Sequence, residues 1–464
     1  MNTEDPFERD VRAALADLAS EPAPEHLVER VAGIPAREPV RRRSLLRLSL
    51  GLASAAAVLL VAVAAVLIAR PGAGPLTGGV PLASPTPVAT SALSSEGPVG
   101  TVPATTPSPT PTSTPVAMPQ GGPIGGPVPA GFQPGSITFT SPDVGWVLGT
   151  APCPAEPCTS IARTLDGGRS WVGIPAPRAP YVAAPQGSDP AGVSGLRMAD
   201  PLNGWAFGPD LWSTHDGGGS WQKVALPGLA AGSEVWALET AGGLVHAAVY
   251  DGDSHVRIAS SPVASDEWQL APVQLEVGAG PVPSAQMVLQ GDGGWVIEVD
   301  RTVVGGARLV NGAWTAWQPP CLDVAGPAVL AARGSADLVA ACDVGQWSTP
   351  EGERLYLSSD GGLTFARVGG QVPLQQVQGL TSLDAGVTLV AGNPAGGGVR
   401  LAATFDGGRS WTTVFDAPDG ATVTYLGLTT RTQGVAIVTT ADDRRALVIT
   451  RDGGRTWTPV AFGG

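Results

Sequence analysis

Lysine is almost missing from this chain. Lys223 is the only one among 27 basic residues, which face 40 acidic ones for a net charge of −13. Phosphate contacts need clustered positive charge, so an acidic chain of this kind excludes nucleic acid as a partner. Histidine is sparse as well: His26, His215, His246 and His255 are scattered, and none forms a metal-spaced cluster. No metal and no cofactor is therefore expected. The four cysteines include no C-x-x-C pair, and no Ser/His/Asp or Cys/His constellation can be assembled, so no catalytic residue is expected. What the chain has in excess is 63 glycines and 45 prolines in 464 residues, which excludes a helical bundle and favours short strands separated by turns.

Charge is unevenly placed. Residues 1–70 hold nine arginines against nine acids, so the whole negative excess lies beyond them. Within that first part, LSLGLASAAAVLLVAVAAVLIA at 48–69 is a run of 22 uncharged residues between Arg47 and Arg70. At 1.5 Å per residue it spans a hydrocarbon core of roughly 30 Å. Arg41, Arg42, Arg43 and Arg47 precede it, which puts residues 1–43 in the cytoplasm and the rest outside. A segment of 44–70 is thus expected as a single transmembrane helix in the cell membrane. RRSLLR at 42–47 also resembles a twin-arginine export signal, but the apolar run is long for one and no A-x-A cleavage site follows. Phe7, Val11, Leu15 and Leu18 recur at helical spacing, making residues 1–43 partly helical and a candidate for a cytoplasmic partner. That layout looks broadly like membrane-bound anti-sigma factors. Residues 71–135, rich in Pro, Ser, Thr and Gly with Glu96 the only charge, read as a disordered stalk.

Beyond the stalk one string recurs: TLDGGRSW (164–171), THDGGGSW (214–221), SSDGGLTF (358–365), TFDGGRSW (404–411) and TRDGGRTW (450–457). Its aspartates stand at 166, 216, 360, 406 and 452, spaced by 50, 144, 46 and 46. The large gap holds two faded copies, IASSPVASDEW (258–268) ending on Trp268 and RLVNGAW (308–314) ending on Trp314. Segments such as FTSPDVGWVLG (139–149) and MADPLNGWAFG (198–208) precede the octapeptides, giving four strands per unit of about 46 residues. Seven such units predict an all-β, seven-bladed β-propeller over 136–464.

The octapeptide resembles the Asp-box, or BNR repeat, of sialidases, xyloglucanases, sortilin-type receptors and photosystem II assembly factors. The resemblance implies a structural role for Asp166, Trp171, Asp216, Trp221, Asp360, Phe365, Asp406, Trp411, Asp452 and Trp457, at hairpin turns on the rim. Strand parity then sets the working face: octapeptide turns open on one side, and the variable loops and blade connections open on the other. Candidates on that loop face are Arg178, Tyr181, Asp251, Asp253, Trp347, Glu351 and Arg354, with Asp189 and Glu353 nearby. Asp251 and Asp253 lack the further oxygen ligands and terminal Glu of an EF-hand calcium loop. Cys153 with Cys158, and Cys321 with Cys342, are candidate disulfides in an oxidising compartment. A sialidase would show a Phe-Arg-Ile-Pro-like segment, further arginines and a Tyr/Glu pair. No such segment is present, and Tyr425 has no acid beside it in sequence. The expectation is a membrane-anchored, extracytoplasmic platform that binds a protein or glycan, similar to photosystem II assembly-factor propellers. A sialidase-like glycoside hydrolase and a sensor domain of an anti-sigma-like regulator stay as alternatives.

Overall fold

The computed structural model describes residues 122–463 apart from 156–157, 183–190, 281–282, 323–325, 344–353, 395–396 and 418–419. The expectations for residues 1–43, for the 44–70 span and for the stalk up to 121 lie outside the described residues. Among the described residues, no helix is long and apolar enough to cross a membrane.

Seven four-stranded antiparallel sheets follow one another along the chain, at 133–174, 195–223, 234–276, 284–317, 328–371, 376–417 and 422–459. They are the blades of a seven-bladed β-propeller. In every sheet the spatial order of strands is the sequence order, so each blade is built wholly from its own repeat. The inner strand of blade 1 begins at Gln133, and residues 122–132 also lie against that blade.

The five octapeptides fold alike. In blade 1, Asp166 Oδ1 accepts from Thr164 Oγ1 at 2.8 Å and from the backbone N–H of Arg169 at 3.0 Å and Ser170 at 2.9 Å. Its Oδ2 accepts from Ser170 Oγ at 2.6 Å. Asp216, Asp360, Asp406 and Asp452 repeat the bonds to the residue four places on. The Ser/Thr at the first position accepts the N–H of the second glycine, as Thr164 does from Gly168 at 2.8 Å. Both glycines sit at positive φ, +71° and +83° in blade 1, which only glycine adopts freely. The second also permits close approach: a Cβ on Gly218 would stand 2.8 Å from Ile174 Cδ1 of blade 1. The first glycine ties the octapeptide to the neighbouring hairpin, as Gly167 N–H does to Asp143 O at 2.8 Å and Gly453 N–H to Thr432 O at 2.8 Å. Both turns therefore open on one side of the ring.

The faded copies reach the same end by other means. In blade 4, Asn311 and Gly312 both have positive φ and form a two-residue hairpin between Val310 and Ala313, the geometry an Asn-Gly pair favours. In blade 3 Val263 stands where the aspartate would be. The carboxylate comes from Asp266 instead, which accepts Ser213 Oγ of blade 2 at 2.6 Å.

An apolar cluster fills each of the seven blade interfaces, and each contains the closing aromatic of the following blade. Trp171 lies between blades 7 and 1, Trp221 between 1 and 2, Trp268 between 2 and 3, and Trp314 between 3 and 4. Phe365, Trp411 and Trp457 complete the series. From the opposite direction, the fully buried Trp146, Trp205 and Trp295 of the Gly-Trp strands reach towards the next blade. Both faces of each sheet are thereby removed from water. Trp268 is 4 % exposed whereas Trp221 is only half-buried, so the two should respond differently to truncation. Trp268→Ala is expected to cost about 3–5 kcal/mol in denaturant unfolding, and Trp221→Ala clearly less. Equal losses would contradict an aromatic-filled interface.

Candidate functional site: the channel and the loop face

The inner strands of the blades line a central cavity of about 550 Å³. Three of its polar side chains meet across the ring. Arg197 on the inner strand of blade 2 (Gly195–Met198) places Nη2 2.5 Å from Glu239 Oε1 on the inner strand of blade 3 (Glu234–Ala241). Tyr425 of blade 7 faces the same guanidinium and adds to the pull on its charge. Burial works against the Arg197 charge, and Glu239 and Tyr425 outweigh it, so the guanidinium is held above its ordinary pKa. Other polar groups in or beside the channel also join neighbouring blades. Ser136 Oγ accepts from Leu196 N–H at 3.0 Å, and Thr381 Oγ1 from Leu428 N–H at 3.1 Å. The Gln286 amide pairs with both backbone groups of Leu330, at 2.8 and 3.1 Å. Arg197 is the one guanidinium among the described lining residues.

The loop face carries the sequence-derived candidates. Arg178 is exposed on the connection from blade 1 to blade 2. Tyr181, on the same connection, is half-buried. Its ring lies under Arg445 of blade 7, with Cζ 4.5 Å from the ring centroid, and its hydroxyl occupies the space a side chain at Gly135 would take. It is thus part of the wall between blades rather than a free contact residue. Asp251 is committed as well. Its Oδ1 accepts the N–H groups of Asp253, Ser254 and His255 at 3.0–3.1 Å, and its Oδ2 lies 3.3 Å from His255 Nδ1. Burial works against ionisation of Asp251, but these bonds prevail and hold its pKa below the usual range. Asp253 is exposed, and its backbone carbonyl accepts the Tyr250 hydroxyl at 3.0 Å. Arg354 opens the third strand of blade 5 (Arg354–Ser358). Trp347 and Glu351, with Asp189 and Glu353, lie outside the described residues.

Cys153 is bonded to Cys158 across its loop, and Cys321, on the connection after blade 4, is bonded to Cys342 in blade 5. Among the described residues no group of three or more His, Cys, Asp or Glu side chains could hold a metal ion.

Several groups were not singled out from sequence. Trp236 stacks on Tyr250 with centroids 4.8 Å apart and rings 12° from parallel, its indole N–H on Glu234 Oε2 at 3.2 Å. The seam between blades 3 and 4 holds two buried titratable side chains. His246 Nδ1 accepts the Trp314 indole N–H at 3.1 Å and lies 2.7 Å from Ser260 Oγ. Burial pushes its pKa down to about 4. Glu298 accepts Gly278 N–H at 3.2 Å through Oε1, while its buried Oε2 has no partner. Burial, with the charge of nearby Asp300 adding to it, lifts Glu298 to about 7. The available signal for Arg197 and Glu239 was a charge in the middle of an apolar strand, in SGLRMAD and VWALETA.

The seam sets opposite pH dependences. The unfolded chain binds a proton on His246 more readily than the folded one between pH 6.5 and about 4, so its contribution falls as pH falls, by about 3 kcal/mol over that range. Glu298 binds its proton more tightly when folded, so its contribution is complete below pH 4.5 and is lost as pH rises through about 7. Urea titrations from pH 4 to 8 should show His246→Gln flattening the acid limb and Glu298→Gln the limb towards neutrality. Unchanged slopes in both variants would refute these assignments.

No protein-family model matches the chain, and no curated protein matches it in sequence. Solved structures do resemble it. A puromycin-hydrolysing peptidase from Mycobacterium tuberculosis aligns with a TM-score of 0.50 at 15 % identity, over 74 % of this chain and 56 % of that one. YCF48 from Cyanidioschyzon merolae gives a TM-score of 0.47 at 16 % identity, over 70 % and 97 %. YCF48 bound to D1 peptide gives 0.40 at 15 %, over 57 % and 79 %. At such identities the likeness is one of fold.

Proposed function

We propose that this chain is a membrane-tethered, extracytoplasmic propeller of Asp-box type that binds a protein or glycan partner through its loop face and performs no chemistry on it. The supporting observation is the inequality of the two faces. On one side five octapeptide turns spend their aspartates on the same internal bonds. On the other side connections differ in length and sequence from blade to blade, the pattern of loops that carry recognition on a rigid scaffold. Exposed Arg178 and Asp253 are the described contact residues of this reading, joined by Arg354 and by Trp347 and Glu351 from sequence.

One arrangement favours a second reading, a sialidase-type hydrolase: Tyr425, Arg197 and Glu239 are connected within the channel. Such an enzyme needs three guanidiniums around one substrate carboxylate, and the described channel lining offers one, already paired. Release of fluorophore from a sialoside by the purified chain, abolished in Tyr425→Phe, would replace the binding reading with this one.

The near-absence of lysine provides a test of placement. Lys223 is 56 % exposed in its side chain and sits at the loop-face end of blade 2, beside Asp210 at 2.9 Å. A membrane-impermeant amine reagent applied to intact cells should label Lys223 and leave the amino terminus unlabelled. Labelling only after permeabilisation would place the propeller on the other side. Photo-crosslinkers at Arg178 and at Arg409, on opposite faces, should capture a partner only from Arg178.

A further inference from the structure

Six blade interfaces are spanned by covalent chain, and the seventh, between blades 7 and 1, is not. No strand is shared across it, because blades 1 and 7 each complete four strands from their own repeats. Both ends of the described chain converge there instead. Upstream of blade 1, Gly126 pairs with Gly173 on the outer strand as a short antiparallel bridge, both N–H···O distances being 2.8 Å. Downstream of blade 7, Phe462 sits against Phe132, with centroids 4.9 Å apart, and Trp171, at 5.1 Å. Val128 of the upstream segment and Val460 of the downstream one pack on the same cluster, which contains Val435, Ile437, Leu447 and Ile449 of blade 7.

We infer that residues 122–132, read from composition as the end of a passive stalk, are one half of a clasp that closes the ring, with 458–463 as the other half. Disturbing the upstream half then loosens blade 7, which the Gly126 bridge does not touch. The bridge needs glycine at 125 and 173. A Cβ on Gly125, which has φ +49°, would lie 2.6 Å from Val172 Cγ2, and one on Gly173 would lie 2.8 Å from Pro127 O. Gly126 itself has no atom within 4 Å of such a position. The strap covers a cavity of about 470 Å³ above Thr159, Ile161 and Ala176, so its removal would expose apolar surface of blade 1. Polar bonds support the same seam: Gln433 Nε2 donates to Pro142 O at 2.8 Å and Arg451 Nη2 to Gly167 O at 2.7 Å. A tether ending in such a strap delivers load, or a proteolytic cut within 122–132, to the one interface that lacks a covalent crossing.

Hydrogen–deuterium exchange on the full chain in detergent micelles tests this. Gly125→Ala expels the strap sterically. Gly126→Pro removes the N–H given to Gly173 O and sets the ring Cδ in the line of that 2.8 Å bond, so it breaks the bridge at a second position. Phe462→Ala truncates the other half of the clasp. Each variant should speed exchange about tenfold or more in residues 445–460 as well as in 122–132 and 172–174, leaving 294–299 and 338–342 unchanged. Acceleration confined to 122–132 in the two glycine variants overturns the clasp, because the segment would then be a dispensable attachment. Uniform acceleration in all blades with both Gly126→Pro and Phe462→Ala overturns it too, because no separate seam would exist.

Discussion

A four-stranded antiparallel sheet that is apolar on both faces has no stable existence alone in water, and everything in this molecule answers to that constraint. Each blade is solvated only along its edges and buried against two neighbours, so the ring is cooperative in a way an open stack is not. The octapeptide serves it twice. Its polar residues fold a turn whose bonds are internal, and its final aromatic is thereby aimed into the preceding interface. Trp268 and Trp314 show which of these functions is indispensable. Their octapeptides have lost the aspartate, and the aromatic is still in place because Asp266 and an Asn-Gly hairpin support it by other routes.

The channel follows from the same constraint. Inner strands have side chains that face neither solvent nor a full interface, and polar ones there would be costly unless paired. Arg197, Gln286, Ser136 and Thr381 find partners on another blade, so polarity at the axis becomes a means of holding blades in register. This is why a central cavity lined by Arg, Glu and Tyr reads first as architecture. The loop face bears less of this duty, Tyr181 under Arg445 being the part of it that does hold blades together.

Periodicity carried the sequence reading where structure repeats, and it failed where structure does not. Five octapeptides in phase located the blades, and the phase alone found Trp268 and Trp314. Tyr181 and Asp251 were legible as loop residues. The stacking of Tyr181 under Arg445 was not, since nothing local reports a contact from blade 7. The bonds of Asp251 to the 253–255 backbone are local, and were missed because DGDS was weighed only as a calcium loop. Arg197 and Glu239 lie 42 residues apart, and His246 and Trp314 lie 68 apart, so a charge within an apolar strand was visible locally but its partner was not. The strap at 122–132 was hidden by composition, because the glycines and prolines that mark a stalk are also what allows a segment to lie close along a strand.

The bond from Arg445 N–H to Gln133 Oε1 joins residues 312 positions apart. Blade 1 is among the first parts of the ring to be synthesised, and its outward face must wait for blade 7 to be covered. The six other interfaces can form between successive neighbours at low loop-closure cost, whereas this one requires the whole intervening chain to be in place. Assembly therefore has a direction and a last step. Until that step a half-finished propeller leaves the aromatic surface at Phe132 and Trp171 uncovered.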